Sequence, residues 1–117
     1  MIKLMYTNCQ SVVNKRAELR VMVTDLKPDL VCLTECWTNE LIEDGLLAIE
    51  GYELLVRKDR SDTTKGRGGG ILMYGRCGIV AWEIEPLTDF CQIGGVKVRS
   101  EGGKLLSSLF IAHQILP

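Results

Sequence analysis

The alternation of apolar and polar positions divides the chain into a short series of elements. IKLMYTN, residues 2–8, is apolar enough to predict an interior strand. In the stretch that follows, Asn14 is the expected helix N-cap, and Leu19, Met22, Val23 and Leu26 fall at i, i+3, i+4 and i+7 on one apolar face. Pro28 ends that helix, and Leu30, Val31, Cys32 and Leu33 form a continuous apolar run, so LVCLT, residues 30–34, is expected as a strand buried on both faces. TNELIEDGLL predicts a short helix capped at Thr38 or Asn39 and ending near Gly45. Strands are then expected at YELLVRK (52–58), ILMYG, GIVAWEI, CQIGGVKVRS and KLLSSLFIAH, with DRSDTTKGRGG as a loop and Glu101-Gly102-Gly103 as a hairpin turn.

The first three elements form a strand–helix–strand unit with short connections, so its two strands are expected to lie parallel and adjacent. Asn8 ends the first strand and Glu35 follows the second. Parallel neighbours bring both residues to the same C-terminal sheet edge, where α/β proteins place their sites. A carboxylate directly after a fully apolar strand is costly to desolvate and calls for a partner or for solvent. Asparagine in a turn can simply cap its own loop, so each residue also has a plain structural reading. The expected fold class is therefore α/β (α+β), one βαβ unit followed by an antiparallel series.

Composition narrows the class further. The chain has 117 residues, 46% hydrophobic and 25% charged, which suits one small globular domain and excludes a disordered chain. No apolar stretch approaches the roughly 20 residues that span a bilayer, so no membrane partner is expected. MIKLMYTNCQ lacks the apolar core of a signal peptide, and the expected setting is intracellular, nuclear or cytoplasmic. The five cysteines show no CxxC pair and are accompanied by one histidine, His113, which argues against zinc and for reduced core thiols. Net charge is −1, so the whole chain is no attractor for nucleic acid. Charge is unevenly spread, however: residues 29–53 carry seven acids and no base, and residues 57–67 carry five bases against Asp59 and Asp62. Within that basic loop, Arg60 and Lys65 are candidate contacts for a nucleic-acid backbone, or plain solvated surface. Gly66-Arg67-Gly68-Gly69-Gly70 precedes a strand and not a helix, so it fits neither phosphate-binding glycine motif. It is expected to serve a tight turn and close backbone packing where that strand begins.

YTNCQSVVNKRAEL, PDLVCLTECW, GYELLVRKDR and GRGGGILMYGR stand in this order along the chain. Together they resemble the endonuclease/exonuclease/phosphatase superfamily, and within it the endonuclease domain of non-LTR retrotransposons. The T-E-x-W piece is the most specific of the four. The resemblance spans residues 1–117 and matches the N-terminal half of the family's domain, with the C-terminal half missing. It implies an incomplete four-layer α/β sandwich and a truncated phosphodiesterase that uses Mg2+, with Mn2+ as a substitute. By the same resemblance Glu35 is the metal ligand, Asn8 supports the active-site phosphate, DNA is the substrate of the full-length domain, and a reverse transcriptase follows in the same polyprotein. Mg2+ chemistry is consistent with a single carboxylate, because the ion keeps several waters and also binds the scissile phosphate.

The departures from the family matter equally. The family's Asp-x-Asn pair and Ser-Asp-His do not occur in this sequence, and His113-Gln114-Ile115-Leu116-Pro117 stands where relatives carry a Tyr-Arg-x-Pro stretch. His113 reads as a strand-end residue and not as a catalytic base. The fragment is expected to be inactive alone. Two further readings are a non-catalytic remnant or binding module of the same fold, and an unrelated small α/β domain in which Asn8 and Glu35 are structural.

Overall fold

The computed structural model describes residues 2–60, 69–84, 92–99 and 105–113. Lys65, Cys91, most of the glycine-rich loop and the expected turn at Glu101-Gly102-Gly103 lie outside the described residues. Strand β1 (Leu4–Asn8), helix α1 (Val12–Leu26) and strand β2 (Leu30–Thr34) form the expected βαβ unit, with β1 and β2 parallel and Asn8 opposite Thr34. Short helix α2 (Asp44–Leu47) leads to β3 (Tyr52–Lys58) and β4 (Ile71–Arg76), which join antiparallel to give a first sheet of order β1-β2-β4-β3. Strands β5 (Val80–Ile84), β6 (Gln92–Arg99) and β7 (Leu105–His113) form a second, antiparallel sheet. The chain is thus a compact α+β domain of mixed and antiparallel sheets.

Every residue of β2 is buried, and the alternation of its side chains explains why. Val31 and Leu33 face the helical layer with Met5, Val12, Leu19, Val23, Leu47, Leu72 and Tyr74. Leu30 and Cys32 face the second sheet, packing with Val56, Ile71, Met73, Val96 and Val98. The described residues therefore stack in three layers: helices, first sheet, second sheet. Burying each large aliphatic side chain of β2 contributes about 1.5–3 kcal/mol. The two sheets pack tightly at Gly94, where a Cβ would meet Met73 Sδ at 3.0 Å and Val56 Cγ1 at 3.1 Å. Any larger residue there would push the two sheets apart.

Two local expectations are corrected. Helix α1 begins at Val12 and not after Asn14, and its N-cap Ser11 makes no side-chain capping bond. Two amides at this end are met by the segment after β2 instead: Ser11 N donates to Glu35 O at 3.0 Å and Val12 N to Cys36 O at 3.0 Å. A helix end can be satisfied by any acceptor in reach, so a sequence search for capping side chains misses one supplied by distant backbone. Leu26, placed on the apolar face, is 43% exposed at the last position before the C-cap Lys27. The second correction concerns α2, which starts at Asp44 and not at Thr38 or Asn39. Asn39 Oδ1 accepts from Leu41 N at 2.9 Å, so it caps a turn five residues earlier.

At the opposite end of the first sheet, Asp29 ties three segments together. Its Oδ2 accepts from Lys3 N at 2.8 Å, and its Oδ1 accepts from Arg76 Nη2 at 2.8 Å and Nε at 3.2 Å. The Lys3 backbone N–H, then the Arg76 guanidinium, hold the Asp29 carboxyl below the usual carboxylate range. A depressed folded value means that this stabilisation is present above the unfolded value, about pH 4, and is lost as pH falls through the folded value. Asp29→Asn is therefore expected to lower the urea midpoint at neutral pH and to converge with the parent near pH 2. A midpoint difference that stays constant from pH 7 to pH 2 would exclude this linkage.

Candidate functional site

The C-terminal edge of β1 and β2 concentrates unusual backbone. Five described non-glycine residues have positive φ, and four of them sit here: Gln10 (48°) and Ser11 (82°) after β1, Glu35 (53°) and Trp37 (56°) after β2. The fifth, Lys27, is an ordinary left-handed helix C-cap. Non-glycine residues in this region cost on the order of 1 kcal/mol or more each, and persist only where their surroundings over-determine them.

Those surroundings are visible as a backbone clamp. Cys9 N donates to Thr34 O at 2.9 Å, continuing the parallel ladder past Asn8. On the other side, Cys36 N donates to Gly70 O at 3.1 Å and Trp37 N to Gly69 O at 3.0 Å. Gly69 and Gly70 adopt φ of 83° and 101°, and a Cβ on Gly70 would lie 3.0 Å from Trp37 N. The end of the glycine run thus does what its position before a strand predicts: it turns tightly and lets two backbones approach. The Glu35 turn is gripped between helix α1 and these glycines.

The Glu35 side chain is fixed as firmly as its backbone. Its Oε2 accepts from Trp37 Nε1 at 2.8 Å and from Gly69 N at 3.0 Å. Glu35 is half-buried, and Asn8, at the end of the adjacent strand, is exposed. The structure therefore brings Asn8 and Glu35 to one sheet edge through the β1–β2 register. Trp37 and Gly69, which hold the carboxylate, were not singled out from sequence. Trp37 belongs to the T-E-x-W stretch, but Gly69 lies 34 positions from Glu35 and nothing local connects them.

Arg60 is placed beside this cluster. Its backbone N–H donates to Thr38 O at 2.9 Å, and its guanidinium lies 5.7 Å from the centre of the Trp37 ring. A half-buried arginine over an indole braces the Trp37 turn and still presents cationic charge near the edge. Arg57, three residues earlier in β3, holds the preceding loop by donating to Asn39 O at 2.8 Å, Ile42 O at 2.6 Å and Asp44 Oδ1 at 2.6 Å. His113 closes β7, as expected of a strand-end residue.

Of the four described cysteines, Cys9, Cys32 and Cys36 are buried and Cys77 is exposed, all as free thiols. Burial pushes the Cys32 thiol up to about 12. The neighbouring Cys36 thiol holds Cys9 below its ordinary value, while the Cys9 thiol and burial push Cys36 up.

Carboxylate oxygens pre-oriented by an indole and a backbone N–H suit a hard, oxygen-preferring cation. Among the described residues, no three His, Cys, Asp or Glu side chains gather to make a metal cage by themselves. Also among the described residues, no helix is long and apolar enough to cross a membrane. Neither the protein-family models nor the curated proteins contain a match to this chain.

Proposed function

We propose that this chain is the N-terminal part of a Mg2+-dependent phosphodiesterase domain, similar to the DNA endonuclease domain of non-LTR retrotransposons. The observation that carries this reading is the strained, doubly braced Glu35 turn beside Asn8 at the C-terminal edge of two parallel strands. Backbone strain retained at a sheet edge is characteristic of functional sites, where geometry outweighs local stability. In this reading Glu35 holds the cation and Asn8 orients a phosphate oxygen. The bound Mg2+, or Mn2+ in its place, supplies charge neutralisation at the transferring phosphate. Phosphate and water complete its ligand set, since one carboxylate is enough for a cation that keeps most of its hydration. Arg60, with Lys65 five positions later in the sequence, contributes positive charge for contact with a DNA backbone. Water activation comes from residues beyond this sequence, of the Asp-x-Asn and Ser-Asp-His type, with a reverse transcriptase further along the same polypeptide.

Metal binding is tested directly with Mn2+, whose paramagnetism broadens nearby proton signals. The Trp37 indole N–H donates straight to Glu35 Oε2, so its NMR signal should disappear at substoichiometric Mn2+. The indole of Trp82, in the second sheet, is the internal reference. Glu35→Gln should leave the Trp37 signal intact at the same Mn2+ concentration. Equal broadening of both indoles, or none at Trp37, would remove Glu35 as a ligand.

A further inference from the structure

Glu35 and Trp37 stand two residues apart in one turn, and both hold positive φ, 53° and 56°. The turn brings the indole back onto the carboxylate, so that Trp37 Nε1 donates to Glu35 Oε2 at 2.8 Å. The same oxygen accepts from Gly69 N at 3.0 Å. A carboxylate offers about four lone-pair positions, roughly two on each oxygen, so two donors take up what Oε2 can accept. Both donors are held in place. Trp37 N donates to Gly69 O at 3.0 Å, and the Arg60 guanidinium lies 5.7 Å from the centre of the indole ring. Any aromatic ring would fill this half-buried position; only the indole aims an N–H at one chosen oxygen of the carboxylate.

Hard divalent cations differ in what they ask of a carboxylate. Mg2+ is small and octahedral, keeps much of its water and is satisfied by a single carboxylate oxygen. Mn2+ shares its preference for octahedral oxygen ligands. Ca2+ is larger, gathers more oxygens and readily takes both oxygens of one carboxylate. We infer that Trp37 is a positioning residue that sets the cation specificity of this edge. Its indole N–H, together with Gly69 N–H, reserves Oε2, so Glu35 presents one oxygen to a cation and favours Mg2+ or Mn2+ over Ca2+. This specificity rests on Glu35 being the cation ligand, as proposed above. The Gly69 donor is backbone and survives any change of side chain, whereas the Trp37 donor is removed by Trp37→Phe. That variant keeps an aromatic ring beside the Arg60 guanidinium, so the brace on the turn is retained. It also releases a lone-pair position on Oε2, which a large cation can use and a small octahedral one does not need.

The experiment is ion competition on the whole chain, read from the electron paramagnetic resonance signal of free Mn2+. Parent, Glu35→Gln and Trp37→Phe proteins are titrated with Mn2+, and the binding that Glu35→Gln lacks is assigned to the Glu35 site. Mg2+ and Ca2+ are then added separately as competitors. In the parent, Mg2+ should displace this Mn2+ at concentrations about tenfold below those that Ca2+ requires, and in Trp37→Phe the gap should close to about twofold through a gain by Ca2+. An indole that only braces the turn would instead weaken all three ions together in Trp37→Phe and leave their ratios unchanged, which would overturn the specificity role while leaving Glu35 as a ligand. Identical Mn2+ binding by parent and Glu35→Gln would remove Glu35 as the ligand, and the specificity role with it. Should Trp37→Phe fail to fold, the indole N–H proton of the parent decides. Under saturating Mg2+ it should stay downfield, as a hydrogen-bonded N–H; an upfield shift would show the cation taking Oε2 and would overturn the inference.

Discussion

Supercoiled plasmid incubated with this chain in Mg2+ or Mn2+ should be nicked no faster than plasmid incubated with its Glu35→Ala variant. Phosphodiester hydrolysis needs charge neutralisation at phosphate, a group that orients or deprotonates water, and a frame holding both in line. Glu35 with its cation is a candidate for the first requirement, and the braced sheet edge for the third. The second has no candidate in this sequence. Residues that act as one catalytic unit lose nearly all activity when a member is missing, so half a site does not yield half a rate. Extending the chain with a segment carrying Asp-x-Asn and Ser-Asp-His should bring nicking up, and Glu35→Ala in that longer chain should reduce it on the order of 10³-fold or more. Clear nicking by the parent that vanishes in Glu35→Ala would mean that these 117 residues hold a water-activating group of their own.

Replacing Gly70 with valine should cost about 3–5 kcal/mol of folding stability, close to the whole margin of a small domain. Three effects add at this position. The backbone holds φ at 101°, where a β-branched residue is strained. A Cβ would lie 3.0 Å from Trp37 N and 3.4 Å from Cys36 N, both backbone atoms that cannot rotate away. Relieving that clash would break the bonds from Cys36 N to Gly70 O and from Trp37 N to Gly69 O. Gly45→Ala in α2 is the matched control, since an added Cβ meets nothing within 4 Å there. It should be neutral or slightly stabilising, because alanine is the better helix residue. Urea midpoints of the two variants, at unchanged m, give the comparison. Gly70→Val as stable as Gly45→Ala would show that the glycine segment does not pack against the Glu35 turn in solution.

The parts of this fold that could be read from sequence are those set by local pattern. LVCLT is apolar at four consecutive positions, Leu30 to Leu33, and is buried on both faces; Pro28 ends α1 two residues before it. The parallel pairing of β1 with β2 followed from the single helix-bridged crossover, whereas the placement of β4 between β2 and β3 did not. What escaped was set by distant partners. Asn14 is a good capping residue, yet the helix starts before it, at Val12, where the amides of Ser11 and Val12 bond to carbonyls of residues 35 and 36. The site divides in the same way. Asn8 and Glu35 were visible because strand ends mark sheet edges, whereas the pairing of Gly69 with the Glu35 carboxylate depends on a loop closing across 34 positions. Lys65, the other basic candidate, lies outside the described residues.

The missing side-chain cap of α1 has a kinetic meaning. The amides of Ser11 and Val12 reach their protein acceptors only when the segment after β2 arrives, and until then they bond to water, so the start of the helix is completed together with the sheet edge. The amides of Ser11, Val12, Cys36 and Trp37 then belong to one cooperative opening unit, although two of them lie some 25 residues from the others. In native-state hydrogen exchange they should share a single opening free energy, with the first turn of α1 exchanging no sooner than the Glu35 turn. A helix start that ordinarily frays first becomes the reporter of whether the sheet edge beside it is closed.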